Sequence, residues 1–152
     1  MNCNMRISAR GRYALAAMID LAKNYADGNF ITVTSIAYRL GISKIYLEQV
    51  FSMLKKGGVV ISVKGSQGGY QLASTPHQIT AYDVLYPVET SIFDITDDTV
   101  KNEAPEIEVA MRNLVFDDLD KAVEASLKRV TLYNLINEAE KQRTDMGYMY
   151  FI

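Results

Sequence analysis

TSIAYRLGISKIYLEQVFSMLKKGGVVISVKGSQGGYQL, residues 34–72, is the stretch whose reading decides the fold. Thr34 caps a short helix through Leu40, and Gly41 supplies the left-handed residue of a tight turn. Ser43 caps a second helix to about Lys56. Leu47, Val50, Phe51 and Leu54 recur there at helical spacing and predict a buried stripe. Lys44, Ile45, Glu48, Gln49 and Ser52 point away from it. Gly57-Gly58 ends that helix, Val59–Val63 reads as a β-branched strand, residues 64–69 as a turn and Tyr70–Leu72 as the return strand. Ala37, Gly41 and Leu47 meet the needs of a helix-turn-helix: a small residue at the helix contact, a turn glycine and an apolar anchor. A hairpin directly afterwards makes it winged, a device that lays one helix in a DNA major groove.

Chemical roles follow from that geometry. Glutamate can accept from the cytosine amino group and glutamine can pair with adenine, so Glu48 and Gln49 are candidates for base contacts. Tyr46 and Ser52 can reach bases or phosphates, and Ile45 shares their face. Arg10, Arg12, Arg39, Lys44, Lys55 and Lys56 are candidates for phosphate contacts, which supply affinity without sequence information. Lys64, at the wing, is placed to enter the minor groove. The glycines of KGSQGGY lack the GK[ST] ending of a phosphate-binding loop and precede no helix, so a hairpin turn accounts for them better.

Charge supports a polyanionic ligand. The net −2 conceals nine Lys/Arg against three Asp/Glu in residues 1–80, and seven against fifteen in residues 81–152. A basic first half suits DNA, and the acidic second half would repel it.

Outside the central stretch, Ser8 caps a helix to about Ala26, with Tyr13, Ala14, Ala17, Met18, Leu21, Ala22 and Tyr25 on its apolar side. Phe30–Val33 reads as a short strand, and Thr80 caps a fourth helix that Pro87 ends or kinks. ETSIFDITDDTVKNEAP (89–105) is acidic, aperiodic and loop-like. A long amphipathic helix over about 106–129 carries Met111, Leu114, Val115, Leu119, Val123 and Leu127. It either completes a monomer core or forms a dimer, and dimerisation is the better reading because it has little else to pack against. Thr131 caps a short last helix to about Lys141, before an apolar MGYMYFI ending. The expected layout is a DNA-binding unit over 1–88, a linker over 89–105 and a dimerisation unit over 106–152.

Several classes are disfavoured. With 152 residues, 49% of them hydrophobic, the chain can build a core. No apolar run reaches the roughly 18 residues that span a bilayer, and the N-terminus lacks a signal peptide's pattern, so a cytoplasmic protein is expected. Cys3 and His77 are the single cysteine and histidine; they allow no intrachain disulfide and are too few for a four-ligand zinc site. Cys3 reads as an incidental thiol and His77 as a surface residue. No catalytic set emerges, so an enzyme is not expected.

MRISARGRYAL (5–15), residues 36–73, ITAYDVLYPVE (79–89) and VTLYNLINE (130–138) resemble the Rrf2 family of bacterial transcription regulators, over nearly the whole chain. The resemblance implies a mainly α winged helix-turn-helix with a small β wing and a long crossed C-terminal dimerisation helix. It implies a homodimeric regulator, expected to repress, on a palindromic operator of double-stranded DNA. It also implies that Tyr46, Glu48 and Gln49 sit at the DNA, with Lys64 where the family often has arginine; lysine keeps the charge and loses the planar fork. Iron–sulfur members carry three closely spaced cysteines between the fourth helix and the long helix. Residues 89–112 here contain no cysteine or histidine, so no cluster or other cofactor is expected. The chain looks like the clusterless branch that includes the cysteine-metabolism repressor of Gram-positive bacteria, whose terminus GYMYFI (147–152) resembles. On that analogy a metabolic enzyme such as O-acetylserine thiol-lyase is a partner. The alternative is a protein-interaction module of the same fold with little DNA affinity.

Overall fold

A computed structural model describes residues 7–25, 28–65 and 68–150, with side chains described up to 147. Cys3, the expected helix end at Ala26, part of the wing turn and the last two residues lie outside that description.

Helix α1 (Ala9–Lys23) begins where Ser8 stops it, the serine hydroxyl accepting from the Gly11 amide at 3.1 Å. Ala14, Ala17, Met18, Leu21 and Ala22 form its buried side, as their spacing predicts. The expected strand at 30–33 does not form. Thr32, not Thr34, caps α2 (Val33–Leu40), its hydroxyl accepting from the Ser35 amide at 3.1 Å. Once Thr32 is committed to that cap, Val33 has to turn helical, and only Ile31 keeps strand character. Ile31 exchanges two backbone hydrogen bonds with Tyr70, each 2.8 Å. At Gly69, beside that bridge, a Cβ would lie 2.4 Å from the Ile31 carbonyl oxygen, so only glycine lets the two backbones meet.

Gly41, at φ 65°, turns the chain into α3 (Lys44–Lys56), capped by Ser43. Leu47, Val50, Phe51 and Leu54 are its buried residues, the stripe read from the sequence. Gly58, at φ 77°, leads into β1 (Val60–Val63), which runs antiparallel to β2 (Gly69–Leu72) and pairs Val60 with Leu72 and Val63 with Gly69. Helix α4 (Ala81–Leu85) opens with a reciprocal cap between Thr80 and Asp83.

The long helix is one helical path in three parts. These are α5 (Pro105–Met111), a π-helical turn (Arg112–Phe116) and α6 (Asp117–Lys128). The last helix, α7 (Leu132–Tyr150), is not short. Thr131 caps it as expected, accepting from the Asn134 amide at 3.1 Å. Beyond Lys141 no proline stops it, and Gly147 costs a helix only about 1 kcal/mol relative to alanine. Much of the ending read as a tail is therefore helical.

One core joins α1, α2, α3 and the hairpin to Ile79, Val84, Val88 and Leu132. Helix α7 thus returns to the first half of the chain, where Lys23 Nζ lies 3.0 Å from Glu140 Oε1. The long helix does the reverse, leaving Ile107, Val109, Leu114, Val115, Phe116 and Leu119 exposed. Among the described residues no helix is long and apolar enough to cross a membrane.

Candidate nucleic-acid interface

An α-helix turns about 100° per residue. With Leu47, Val50, Phe51 and Leu54 facing the core, Ile45, Gln49, Ser52 and Lys56 fall on the opposite side of α3, with Lys44, Glu48 and Lys55 on one flank. All seven are exposed. Lys44 Nζ lies 3.9 Å from Glu48 Oε1, a solvated pair that DNA phosphates and bases can each part.

Tyr46 differs from its neighbours because it is half-buried. Its ring meets Tyr13 edge to face, centroids 5.3 Å apart and planes at 82°. The sequence placed Tyr13 in the apolar stripe of the first helix. The structure puts it at the edge of that stripe, bracing α3 against α1. Its pairing partner is 33 residues away in sequence, beyond the reach of helical periodicity.

The first turn of α1 is itself anchored. Ser8 donates to Glu89 Oε1 from its amide (3.0 Å) and its hydroxyl (2.6 Å). Arg10 donates from Nε to the Val88 carbonyl at 2.8 Å, so part of this candidate phosphate contact is committed to the fold. Arg12 is exposed. Arg39 grips Asp20 with two guanidinium nitrogens, at 2.7 and 3.0 Å, joining α2 to α1, so two of its donors are committed to the fold. Asp20 and Glu89 were missed because an isolated carboxylate carries no local pattern.

The wing is held by stacking of Tyr70 on Phe51, centroids 4.7 Å apart. Burial, and then the negative charge of Glu48, push the Tyr70 phenol above its ordinary pKa. Lys55 and Lys64 are exposed. The structure thus brings Arg12, Lys44, Ile45, Tyr46, Glu48, Gln49, Ser52 and Lys55 onto or beside two braced helices, with Arg10 behind them and Lys64 on the hairpin.

The dimerisation candidates sit elsewhere. A cavity of about 880 Å³ opens between residues 91–99 and the long helix. Leu119, Val123 and Leu127 line it, together with Asp94, Asp97 and Asp120. Met111, Leu114 and Val115 are not among its lining; Leu114 is 79% exposed. The candidates therefore span two sides of one helix. His77 is exposed, as read, and stacks on Tyr133.

Comparison with known proteins gives a consistent picture. Residues 7–138 match the Rrf2 family, described as an iron-dependent transcriptional regulator. The HTH-type transcriptional regulator IscR of Cronobacter sakazakii is 37% identical over 136 residues, covering 90% of this chain and 83% of the relative. The solved structure of T. potens IscR matches with a TM-score of 0.70 at 34% identity, covering 97% of each chain. CymR, described as the global cysteine regulator of B. subtilis, matches with a TM-score of 0.67 at 35% identity, over 87% of this chain and 96% of CymR.

The description "iron-dependent" calls for a test of the donor set. The chain has one thiol, Cys3, and residues 89–112 offer neither cysteine nor histidine. Two carboxylates of that region are engaged. Glu108, only 5% exposed, accepts from the Thr99 and Val100 amides at 3.1 and 2.8 Å, and Asp98 pairs with Arg112 and Lys101. Among the described residues no three His, Cys, Asp or Glu side chains are grouped to hold a metal. This donor set does not fit an iron–sulfur cluster, which thiolates ordinarily hold.

Proposed function

This chain belongs to the Rrf2 family of transcriptional regulators, and on that premise we propose that it is a cytoplasmic homodimeric repressor that reads a palindromic operator without an iron–sulfur cluster. The exposed face of α3 carries the reading. It presents a donor-acceptor pair, Glu48 and Gln49, on a helix braced by Tyr46 against Tyr13. Residues 1–88 carry the DNA contacts, 89–105 link, and the long helix of 106–129 holds the dimer together, while α7 packs back on the first half's core. Lys44, Arg12, Lys55 and Lys64 meet phosphates or the minor groove, and Glu48, Gln49 and Ser52 meet base edges.

Dimerisation rests on the apolar surface left uncovered on the long helix. Covering both sides of that helix, with Met111, Leu114 and Val115 on one and Leu119, Val123 and Leu127 on the other, by a second copy removes apolar surface that a monomer leaves in water. Two-fold symmetry then sets two recognition helices on half-sites about 34–36 Å apart. The clusterless donor set and the similarity to CymR, described as a global cysteine regulator, support a signal tied to cysteine metabolism, for which O-acetylserine thiol-lyase is the first partner to test.

Selection of bound sequences from random DNA tests the reading. A palindrome is expected, bound with a log affinity that falls by about 0.9 per phosphate contact for each log unit of salt. Failure to enrich any DNA, with a stable protein partner captured instead, would favour an interaction module of the same fold.

A further inference from the structure

Ile45 occupies a place where a polar residue is the ordinary choice. It is 71% exposed, in the first turn of α3, directly opposite the buried Leu47, Val50, Phe51 and Leu54. It contributes nothing to the core. Its neighbours on the outward face are Gln49, one turn on, and Ser52, so a methyl-bearing side chain stands at the N-terminal end of an otherwise polar face.

The geometry points to Ile45 as a specificity residue that recognises the C5-methyl group of thymine; this rests on the DNA-reading function proposed above. Three physical facts carry it. Residues in the first turns of a recognition helix contact base edges. Thymine alone presents a methyl group in the major groove, and apolar side chains pack on it. A β-branched residue in a helix holds essentially one χ1 rotamer, so Ile45 offers its methyls already positioned, with little entropy to lose.

Gln49 fixes where that thymine lies. Residues four apart on a helix have Cβ atoms about 5–6 Å apart, and base pairs rise about 3.4 Å each. The methyl that Ile45 meets is therefore one or two base pairs from the adenine that Gln49 pairs with. Each half-site carries an A·T-containing step whose thymine is read by its methyl and not by hydrogen bonds.

Deoxyuridine supplies the test, because it removes only that methyl. The operator is first selected from random DNA with the wild-type protein. Each thymine is then replaced singly by deoxyuridine, and binding is followed by fluorescence anisotropy at one salt concentration. One position per half-site should lose about fourfold in affinity, the worth of one buried methyl, with other positions unchanged. Ile45→Ser should bind the thymine and deoxyuridine operators alike, while keeping its circular dichroism and thermal midpoint. A flat scan with wild-type protein, or the same deoxyuridine penalty in Ile45→Ser, overturns the proposal and leaves DNA reading intact. Failure to select any DNA overturns both.

Discussion

Gly11 and Glu89 are coupled by a contact that allows no adjustment. A Cβ at residue 11 would lie 2.1 Å from Glu89 Oε1, and 3.0 Å from the Cγ2 methyl of Ile7. Glu89 is 5% exposed, and that same oxygen accepts both bonds from Ser8. In Gly11→Ala the carboxylate must swing away, and both bonds to the start of α1 are lost. Hydrogen bonds to charged groups are worth about 1.5–3 kcal/mol each, and overpacking costs about 1–3 kcal/mol. These terms overlap and are offset by about 1 kcal/mol of helix propensity. The net expectation is a loss of roughly 2–4 kcal/mol, a fall in Tm of roughly 5–15 °C for a chain of this length. Glu89→Ala alone costs a similar amount, since the Ser8 donors lose their acceptor. In the Glu89→Ala background the collision is gone, and only the end of Ile7 must give. Gly11→Ala then changes from damaging to neutral or stabilising, by up to about 1 kcal/mol. Urea unfolding followed by circular dichroism at one protein concentration, on all four proteins, measures the coupling, expected at roughly 2–5 kcal/mol. If Gly11→Ala destabilises both backgrounds equally, the carboxylate is not what excludes a side chain at residue 11, and the reasoning fails.

Gln49→Ala is expected to weaken operator binding by about 1–3 kcal/mol and relax preference at one position per half-site, whereas Lys55→Ala weakens all sequences alike; anisotropy on cognate and scrambled DNA separates them. Tyr13→Ala removes the edge-to-face contact, worth about 0.5–1.5 kcal/mol, and is expected to lower DNA affinity more than stability. Tyr13→Phe keeps the ring and should retain binding, and equal losses in the two variants would mean that the hydroxyl matters and the bracing does not. Leu114→Lys should leave the protomer's fold intact, because the side chain is 79% exposed. Its sedimentation should fall to that of a monomer, and a dimer that survives would move the interface elsewhere. The Lys23 hydrogen bond holds the Glu140 carboxyl below its ordinary range. A carboxylate with a depressed folded pKa contributes stability above about pH 4.5 and loses it as pH falls through the folded value. Glu140→Gln should therefore cost a little stability at neutral pH and nothing in strong acid, as urea titrations at both pH values would show.

Local periodicity and turn chemistry made most of this protein legible from its residues. The stripe Leu47, Val50, Phe51 and Leu54 determines which side of α3 is buried, and therefore which side faces outward. Ser8, Ser43, Thr80 and Thr131 announce four helix starts because a hydroxyl before a helix satisfies an amide that the helix cannot. Gly41 and Gly58 mark turns because positive φ excludes most other residues. The missing cysteines of 89–112 needed no coordinates at all.

What the tertiary structure decided depends on residues far apart in sequence. Ile31 alone pairs with Tyr70, while Thr32 caps α2 and leaves no strand at 30–33. Tyr13 braces Tyr46, Glu89 holds Ser8, and Asp20 ties Arg39 of α2 to α1. Helix α7 outlasts its expected end and buries Leu132 in the first half's core. Each is a long-range choice among local alternatives of similar energy, and packing or a charge-assisted bond settles it. Sequence alone therefore determined that this chain carries a winged helix-turn-helix with no cysteine or histidine in residues 89–112; the tertiary structure decided which residues hold that helix in place and which are left exposed on its outward face.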